Sequence, residues 1–288
     1  MKLMQVFLPK NTSAGQMSKS VTIHGILLAY TVIALFPILI VIMNAFKDRK
    51  GIFRDPLALP TSETFSLVGF EQVLLRSDFG LFAWNSLLVT VLAVGLVILL
   101  GAMAAWALTE YRFRMNLLIT FLFAMGIMIP IRLGTVSILR LIVELNLVNT
   151  LTSLVLVYIA QGLPLAVYIL SEFVRTIPKE LVEAARCDAV SEYRIFFSII
   201  LPLLKPAMAT VAVFTMIPIW NDLWFPLILA PSEETRTITL GVQQFVGQYV
   251  TNWTSVLAAL TMAIVPVLIL YTIFSRQLIR GLTSGAVK

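Results

Sequence analysis

Six stretches of roughly 20 or more mostly apolar residues, at 21–46, 84–108, 117–139, 153–173, 207–230 and 254–275, divide this chain; as helix, each can cross about 30 Å of hydrocarbon. Lipid offers the backbone no hydrogen bonds, so a crossing segment must satisfy its own N–H and C=O groups, as a helix does. The alternating ten-residue segments of a barrel are absent. The sequence therefore reads as all-α, a polytopic membrane helix bundle of about six spans. Composition agrees, with 59% hydrophobic and 12% charged residues, where soluble domains carry about a quarter charged. The first run, Val21 to Phe46, is too long for a signal-peptide core and lacks a small-x-small cleavage site before Lys47, so it is expected to stay as a helix. The expected organisation is a tail at 1–20, one transmembrane domain at 21–275 and a second tail at 276–288.

A net charge of +6 and a pI near 9.6 would suggest nucleic acid in a soluble protein, but here the cations lie in loops. Lys2, Lys10, Lys19, Arg112, Arg114, Arg175, Lys179, Arg186, Arg194, Lys205, Arg276, Arg280 and Lys288 fall on one side. Lys47, Arg49, Lys50, Arg54, Arg76, Arg132, Arg140 and Arg236 fall on the other. The excess assigns both termini to the cytoplasm, and the positive charge is read as belonging to loops and not to a nucleic-acid surface. Trp84 and Trp106 bracket the second run and Trp253 opens the sixth, as interfacial aromatics.

Nothing in the sequence looks catalytic. There is no Gly-x-x-x-x-Gly-Lys-Ser/Thr loop to cradle a triphosphate, and no His, Cys and acid cluster suited to a metal. His24 is the lone histidine, so no Ser/His/Asp set exists, and the single cysteine, Cys187, reads as a reduced structural thiol. Prolines 37, 130, 164, 218 and 266 sit centrally in spans, where they either kink helices for packing or serve gating.

The loop at 174–207 is unusually informative. Thr176 is available as a cap with Pro178 near the first helical position, followed by Glu180. Ser191 can cap a second short helix with Glu192 in its first turn, and Pro202 and Pro206 lie where that helix meets the membrane. Within this loop Glu183–Ala184–Ala185–Arg186–Cys187–Asp188–Ala189, followed by Leu201–Pro202, resembles the EAA loop of ABC importer permeases. That loop usually reads Glu-Ala-Ala, two variable residues, Asp-Gly-Ala. Ala189 stands at the usual glycine and Val190 at the usual alanine. In a left-handed conformation, alanine would cost on the order of 1 kcal/mol more than glycine.

The C-terminal stretch from Arg276 to Lys288 resembles the ending of maltose-type sugar permeases. Further matches are Asn44–Ala45–Phe46–Lys47, Asn85–Ser86 and Trp220–Asn221–Asp222 with Pro226, so the resemblance spans nearly the whole chain. It is closest to the smaller six-span partner of such importers.

The resemblance implies a two-helix coupling loop that docks into a separate ATPase dimer through Glu183, Ala184, Ala185, Asp188 and Ala189. This chain would bind no cofactor, with ATP and Mg on the ATPase. A second permease subunit would complete a heterodimer embedded in membrane lipid. The outer loop at 231–252 would face an extracytoplasmic sugar-binding protein, the alternative being a plain solvated loop.

For a neutral di- or oligosaccharide, the polar residues within spans are candidates for a lined path: Asn85, Gln161, Trp220, Asn221 and Asp222. The alternative for Asn221 and Asp222 is to tie helices together or hold the partner permease. Two other readings stay open: an ion-coupled secondary transporter using Asp222, and an importer of a polyol or glycerol phosphate.

Overall fold

The computed structural model describes residues 14–246 and 251–286. Helix α1 spans Ala14–Ala45, α2 Arg49–Arg54, α3 Val68–Arg76, α4 Phe79–Glu110, α5 Asn116–Met128, α6 Thr135–Glu144 and α7 Leu151–Val174. They are followed by α8 Lys179–Cys187, α9 Glu192–Ile195, a π-helical stretch Phe196–Ile200, α10 Leu201–Leu203, α11 Lys205–Trp220, α12 Trp224–Leu229, α13 Ile238–Gln243 and α14 Trp253–Ala286. Short 3₁₀ turns occupy Ile131–Gly134 and Glu233–Thr235. Among the described residues the only β contact is an isolated bridge between Lys47 and Phe65.

Each apolar run is helical, but two are not simple rods. α1, α4 and α7 are each long and apolar enough to cross a membrane unbroken. The run at 117–139 is a helix pair bent by 92°. Pro130 stands at that break and cannot donate to the turn before it. The run at 207–230 is also interrupted, because α11 stops at Trp220 and α12 starts at Trp224. Pro37, Pro164, Pro218 and Pro266 lie inside continuous helices.

Helix reaches into both segments expected as tails. α1 already begins at Ala14, and α14 continues through the 276–286 segment, because hydropathy marks where a helix meets water and not where its backbone pairing stops. Residues 1–13, 247–250 and 287–288 lie outside the described residues. Trp84 and Trp253 are exposed as interfacial aromatics should be, but Trp106 is buried between Tyr111 and Phe196, at ring separations of 5.5 and 5.4 Å. It is a core residue, drawn inward by the packing of the loop that follows α7.

The chain packs as two units, Met1–Gln72 with Trp253–Thr261, and Val73–Asn252 with Met262–Lys288. In the first, Lys47 is 2% exposed, and its Nζ donates to Asn44 Oδ1 at 3.1 Å and to the Asp55 carbonyl at 2.8 Å. Asn44 Nδ2 donates to the Ile40 and Pro56 carbonyls, and Asp48 Oδ1 caps α2 at Gly51 N. The Asn44–Ala45–Phe46–Lys47 segment thus fastens the end of α1 to the loop after it.

In the second unit α4 and α7 form the central pair. A Cβ at Gly162 would stand 2.9 Å from a Val97 methyl, so only glycine allows this approach. Close approach of small residues is how helices adhere in lipid, where no hydrophobic force separates them from solvent tails. One core cluster, including Trp106, Leu170, Val174 and Phe196, lies toward the 174–207 loop. The other, including Val89, Leu154, Tyr158 and Phe225, lies toward the opposite end of the same helices.

Candidate functional site

The 174–207 loop folds as a rigid two-helix element. Thr176 does not cap α8; its Oγ1 donates back to the Phe173 carbonyl and closes the end of α7. Pro178 takes the N-cap position in an extended conformation, where its missing N–H costs nothing. Ser191 does occupy the N-cap position of α9, without a side-chain cap bond.

α8 ends in a complete Schellman turn: Ala189 N donates to the Arg186 carbonyl and Val190 N to the Ala185 carbonyl, both at 3.0 Å. This requires a left-handed residue, and Ala189 has φ 56°. The chain therefore accepts about 1 kcal/mol of strain where glycine would be relaxed.

The five residues expected at the ATPase contact divide by face. Glu183, Ala184, Asp188 and Ala189 are exposed, whereas Ala185 is buried with Val182 against the core. Cys187 is exposed too, so it is not packed into the structure as a buried thiol would be.

Arg186, on the same helix, is a hub that the sequence reading left unassigned. Its Nε and one terminal nitrogen donate to the two Glu192 oxygens at 2.7 and 3.3 Å, and the other donates to Glu110 Oε1 at 2.7 Å. Tyr111 donates its hydroxyl to Glu192 Oε2 at 2.6 Å. One guanidinium thus ties α8 to α9 and both to the end of α4. Its hydrogen bonds, then that of Tyr111, hold the Glu192 carboxyl below the usual glutamate range. Burial, followed by Glu192, pushes the Tyr111 hydroxyl up to about 12. Hydrogen bonding to Glu192 first, and to Glu110 as well, raises the Arg186 pKa, so the guanidinium stays charged.

A second cluster lies at the α11–α12 interruption. Asp222 is buried, and its oxygens accept from Arg132 at 3.1 Å, Tyr158 Oη at 2.9 Å, Trp224 N at 3.2 Å and Phe225 N at 3.1 Å. The carboxylate thereby caps α12 and satisfies the amides that the break sets free. An acid inside a span demands a partner; that rule is the sequence signal that Asp222 is engaged, and it does not single out Arg132.

The remaining path candidates separate clearly. Asn85 is buried and donates to the Glu234 and Arg236 carbonyls at 2.9 and 3.0 Å, while Ser86 Oγ accepts from Ile238 N at 2.8 Å. The segment 233–238 is therefore strapped to α4, with Glu233 and Glu234 exposed. Trp220 is buried with Nε1 directed to the Ala263 carbonyl. Asn221 is exposed and donates to the Ile217 carbonyl at 3.0 Å. Gln161 borders an open cavity of about 670 Å³ between α5 and α7, with Arg132 also on its wall.

Comparison with known proteins gives one family and consistent relatives. A family model described as "Binding-protein-dependent transport system inner membrane component" matches residues 97–284. The arabinooligosaccharides transport system permease protein AraQ of Halalkalibacterium halodurans is 34% identical over 89% of this chain and 92% of its own. The melibiose/raffinose/stachyose import permease protein MelC of Bacillus subtilis is 32% identical over 94% of this chain and 98% of its own. Among solved structures, a chain of a bacterial ABC transporter involved in import of the acidic polysaccharide alginate superposes with a TM-score of 0.78 at 20% identity. The match covers 93% of this chain and 99% of that one, and shows a shared fold.

Proposed function

Because this chain belongs to the family of binding-protein-dependent transport system inner membrane components, we propose that it is one of two membrane-spanning subunits of an ATP-driven carbohydrate importer. Neutral di- or oligosaccharides are its cargo, in keeping with the oligosaccharides named for its relatives. ATP and Mg belong to a separate ATPase dimer, a second permease completes the heterodimer, and a binding protein delivers the sugar. Both termini face the cytoplasm, on the side of the 174–207 loop.

The observation that carries this reading is the build of that loop. Glu183, Ala184 and Asp188 present an exposed face, while Val182, Ala185 and Ile195 root the same element in the bundle core. A knob anchored this way passes motion of a docked partner to the spans as a rigid body. Asp222, on which a proton- or sodium-coupled mechanism would depend, has its oxygens engaged by four donors.

The test is reconstitution of the complete complex in proteoliposomes, with Ala184→Cys in a Cys187→Ser background and single cysteines around the ATPase cleft. A nucleotide-sensitive crosslink, with uptake dependent on ATP and the binding protein, supports the reading. Uptake that persists without the ATPase overturns it.

A further inference from the structure

We propose that the cavity between α5 and α7 at the end nearer the 174–207 loop is a binding site for one anionic phospholipid of the adjoining leaflet. The proposal needs only that these helices cross a membrane, and is independent of what the protein carries.

The cavity has a volume of about 660 Å³, within the ~300–1,000 Å³ of small-molecule sites. Its lining changes character with depth. Arg112 and Arg114, in the turn between α4 and α5, and Arg175, just past the end of α7, stand at the rim. Phe123, Ala124, Pro164 and Val167 form the wall below them. From Arg175 back to Pro164 is about 16 Å of helix, roughly the depth of one leaflet in a ~30 Å hydrocarbon layer. Charge at the mouth over an apolar wall matches a headgroup over an acyl chain. α5 has no buried residue of its own, which leaves the cavity open along its flank.

The rim is cationic in excess. Glu172 is the one carboxylate on the cavity wall, and Arg175 Nη1 donates to its Oε1 at 2.7 Å. Arg112 and Arg114 are exposed, and no ion pair among the described residues includes either. Guanidinium forks match the oxygens of a phosphodiester, and basic pockets between spans on the cytoplasmic side suit anionic headgroups. α5 starts at the same rim with no side-chain cap and no acid in its first turn, so the positive end of its dipole adds to the attraction.

Two polar groups of the lining are already engaged. Asn116 Nδ2 donates to the Leu108 and Tyr111 carbonyls at 2.9 and 2.8 Å, and Thr120 Oγ1 to Asn116 Oδ1 at 3.4 Å. They fasten the 111–115 turn, and with it the two arginines, to the ends of α4 and α5. A free phosphate would satisfy the rim and leave the apolar wall bare, whereas a phospholipid covers both.

The complete complex, purified in detergent and stripped of lipid, would be titrated with phosphatidylglycerol, phosphatidylcholine or inorganic phosphate, and bound lipid counted by native mass spectrometry. One phosphatidylglycerol per copy of this chain is expected, with phosphatidylcholine weaker by about tenfold or more. Arg112→Gln with Arg114→Gln should weaken phosphatidylglycerol by about 25-fold, from about fivefold for each arginine near an anionic headgroup. Arg112→Lys with Arg114→Lys should keep most of the affinity. The charge-matched pair Arg194→Gln with Lys205→Gln, also exposed, should leave it unchanged. Ala124→Phe, which fills the wall, should weaken the lipid, and excess inorganic phosphate should fail to displace it.

Displacement by inorganic phosphate would make this a plain anion site and overturn the lipid. Equal binding of phosphatidylcholine, or an equal loss from the Arg194 and Lys205 pair, would overturn the site by showing diffuse attraction alone. A loss with lysine as large as with glutamine would trace the effect to a damaged turn and overturn the role of charge. Crosslinking of Thr120→Cys, with Cys187→Ser, to the second permease would show that a subunit fills the cavity, and overturns the proposal as well.

Discussion

Asp222 and Glu192 are both carboxylates held by one arginine and one tyrosine, yet the two clusters are built in opposite senses. In the α11–α12 break the carboxylate is the centre: Asp222 is 6% exposed in its side chain, and Arg132 reaches it from a 64% exposed position. In the loop the arginine is the centre, with Arg186 35% exposed between Glu110 at 20% and Glu192 at 44%. A buried acid that caps freed amides has no water to replace a lost partner, so it fixes irregular backbone permanently. A half-exposed guanidinium can exchange its partners with water at little cost, so its ion pairs add little stability, and the rigidity of α8 and α9 rests instead on Val182, Ala185 and Ile195 in the core.

Substitutions at the two centres should break this contrast most sharply. Asp222→Ala strands the Tyr158 hydroxyl and the Trp224 and Phe225 amides, while the exposed Arg132 turns to water; it is expected to cost about 3–5 kcal/mol, with a matching fall in the thermal unfolding midpoint of the purified complex. Asp222→Asn keeps an acceptor for α12 and should recover part of that loss. Arg186→Ala should destabilise by only about 1 kcal/mol, while sugar moved per ATP hydrolysed falls several-fold with complex assembly intact. Arg186→Lys should not restore this ratio, because an ammonium cannot hold Glu192 on two oxygens and Glu110 together. Equal effects on stability at both sites would remove the distinction.

A smaller effect of opposite sign is expected at Ala189. Ala189→Gly relaxes the left-handed turn and should stabilise the loop by about 0.5–1 kcal/mol, measured as slower amide exchange at Val190.

The smallest effect is with pH. Glu192 has a lowered pKa, so its contribution is complete above the unfolded value of about 4.3 and is lost as pH falls through the folded value. Tyr111 is raised to about 12, so its contribution is complete below about 10 and is lost as pH climbs toward that value. Between about pH 5 and 9 both remain in place, and the ratio of uptake to ATP hydrolysis should be flat. A step within that window would place a titrating group elsewhere in the coupling path.

What could be read from the sequence follows from how local each signal is. The spans were legible because hydropathy is a property of consecutive residues. The left-handed turn at 189 was legible as a condition, because the motif marks that position for glycine. The breaks were less so: Pro130 and Pro218 look alike in sequence, but Pro218 sits inside α11, and the second break forms where Asp222 captures the amides of Trp224 and Phe225.

Asn85, Trp220 and Asp222 were read as path candidates because they are polar within spans and because an aromatic face beside amides suits a sugar; each makes a hydrogen bond within the fold. Polarity in a span says that a partner exists, not which one. Arg132 and Asp222 lie ninety positions apart, and no periodicity connects them. Thr176 was misassigned because the N-cap position of α8 falls at Pro178, two residues on, which left the threonine hydroxyl to the end of α7.

The 92° break after α5 also bears on the energy of crossing. Its 13 residues give about 20 Å of apolar rod against about 30 Å of hydrocarbon. The cavity beside Gln161 and Arg132, of about 670 Å³, is large enough to admit water. Water there would bring high dielectric inward past the break and shorten the low-dielectric barrier. A neutral solute meets no charge self-energy in what remains of that barrier, whereas an ion does, a discrimination that needs no charged filter.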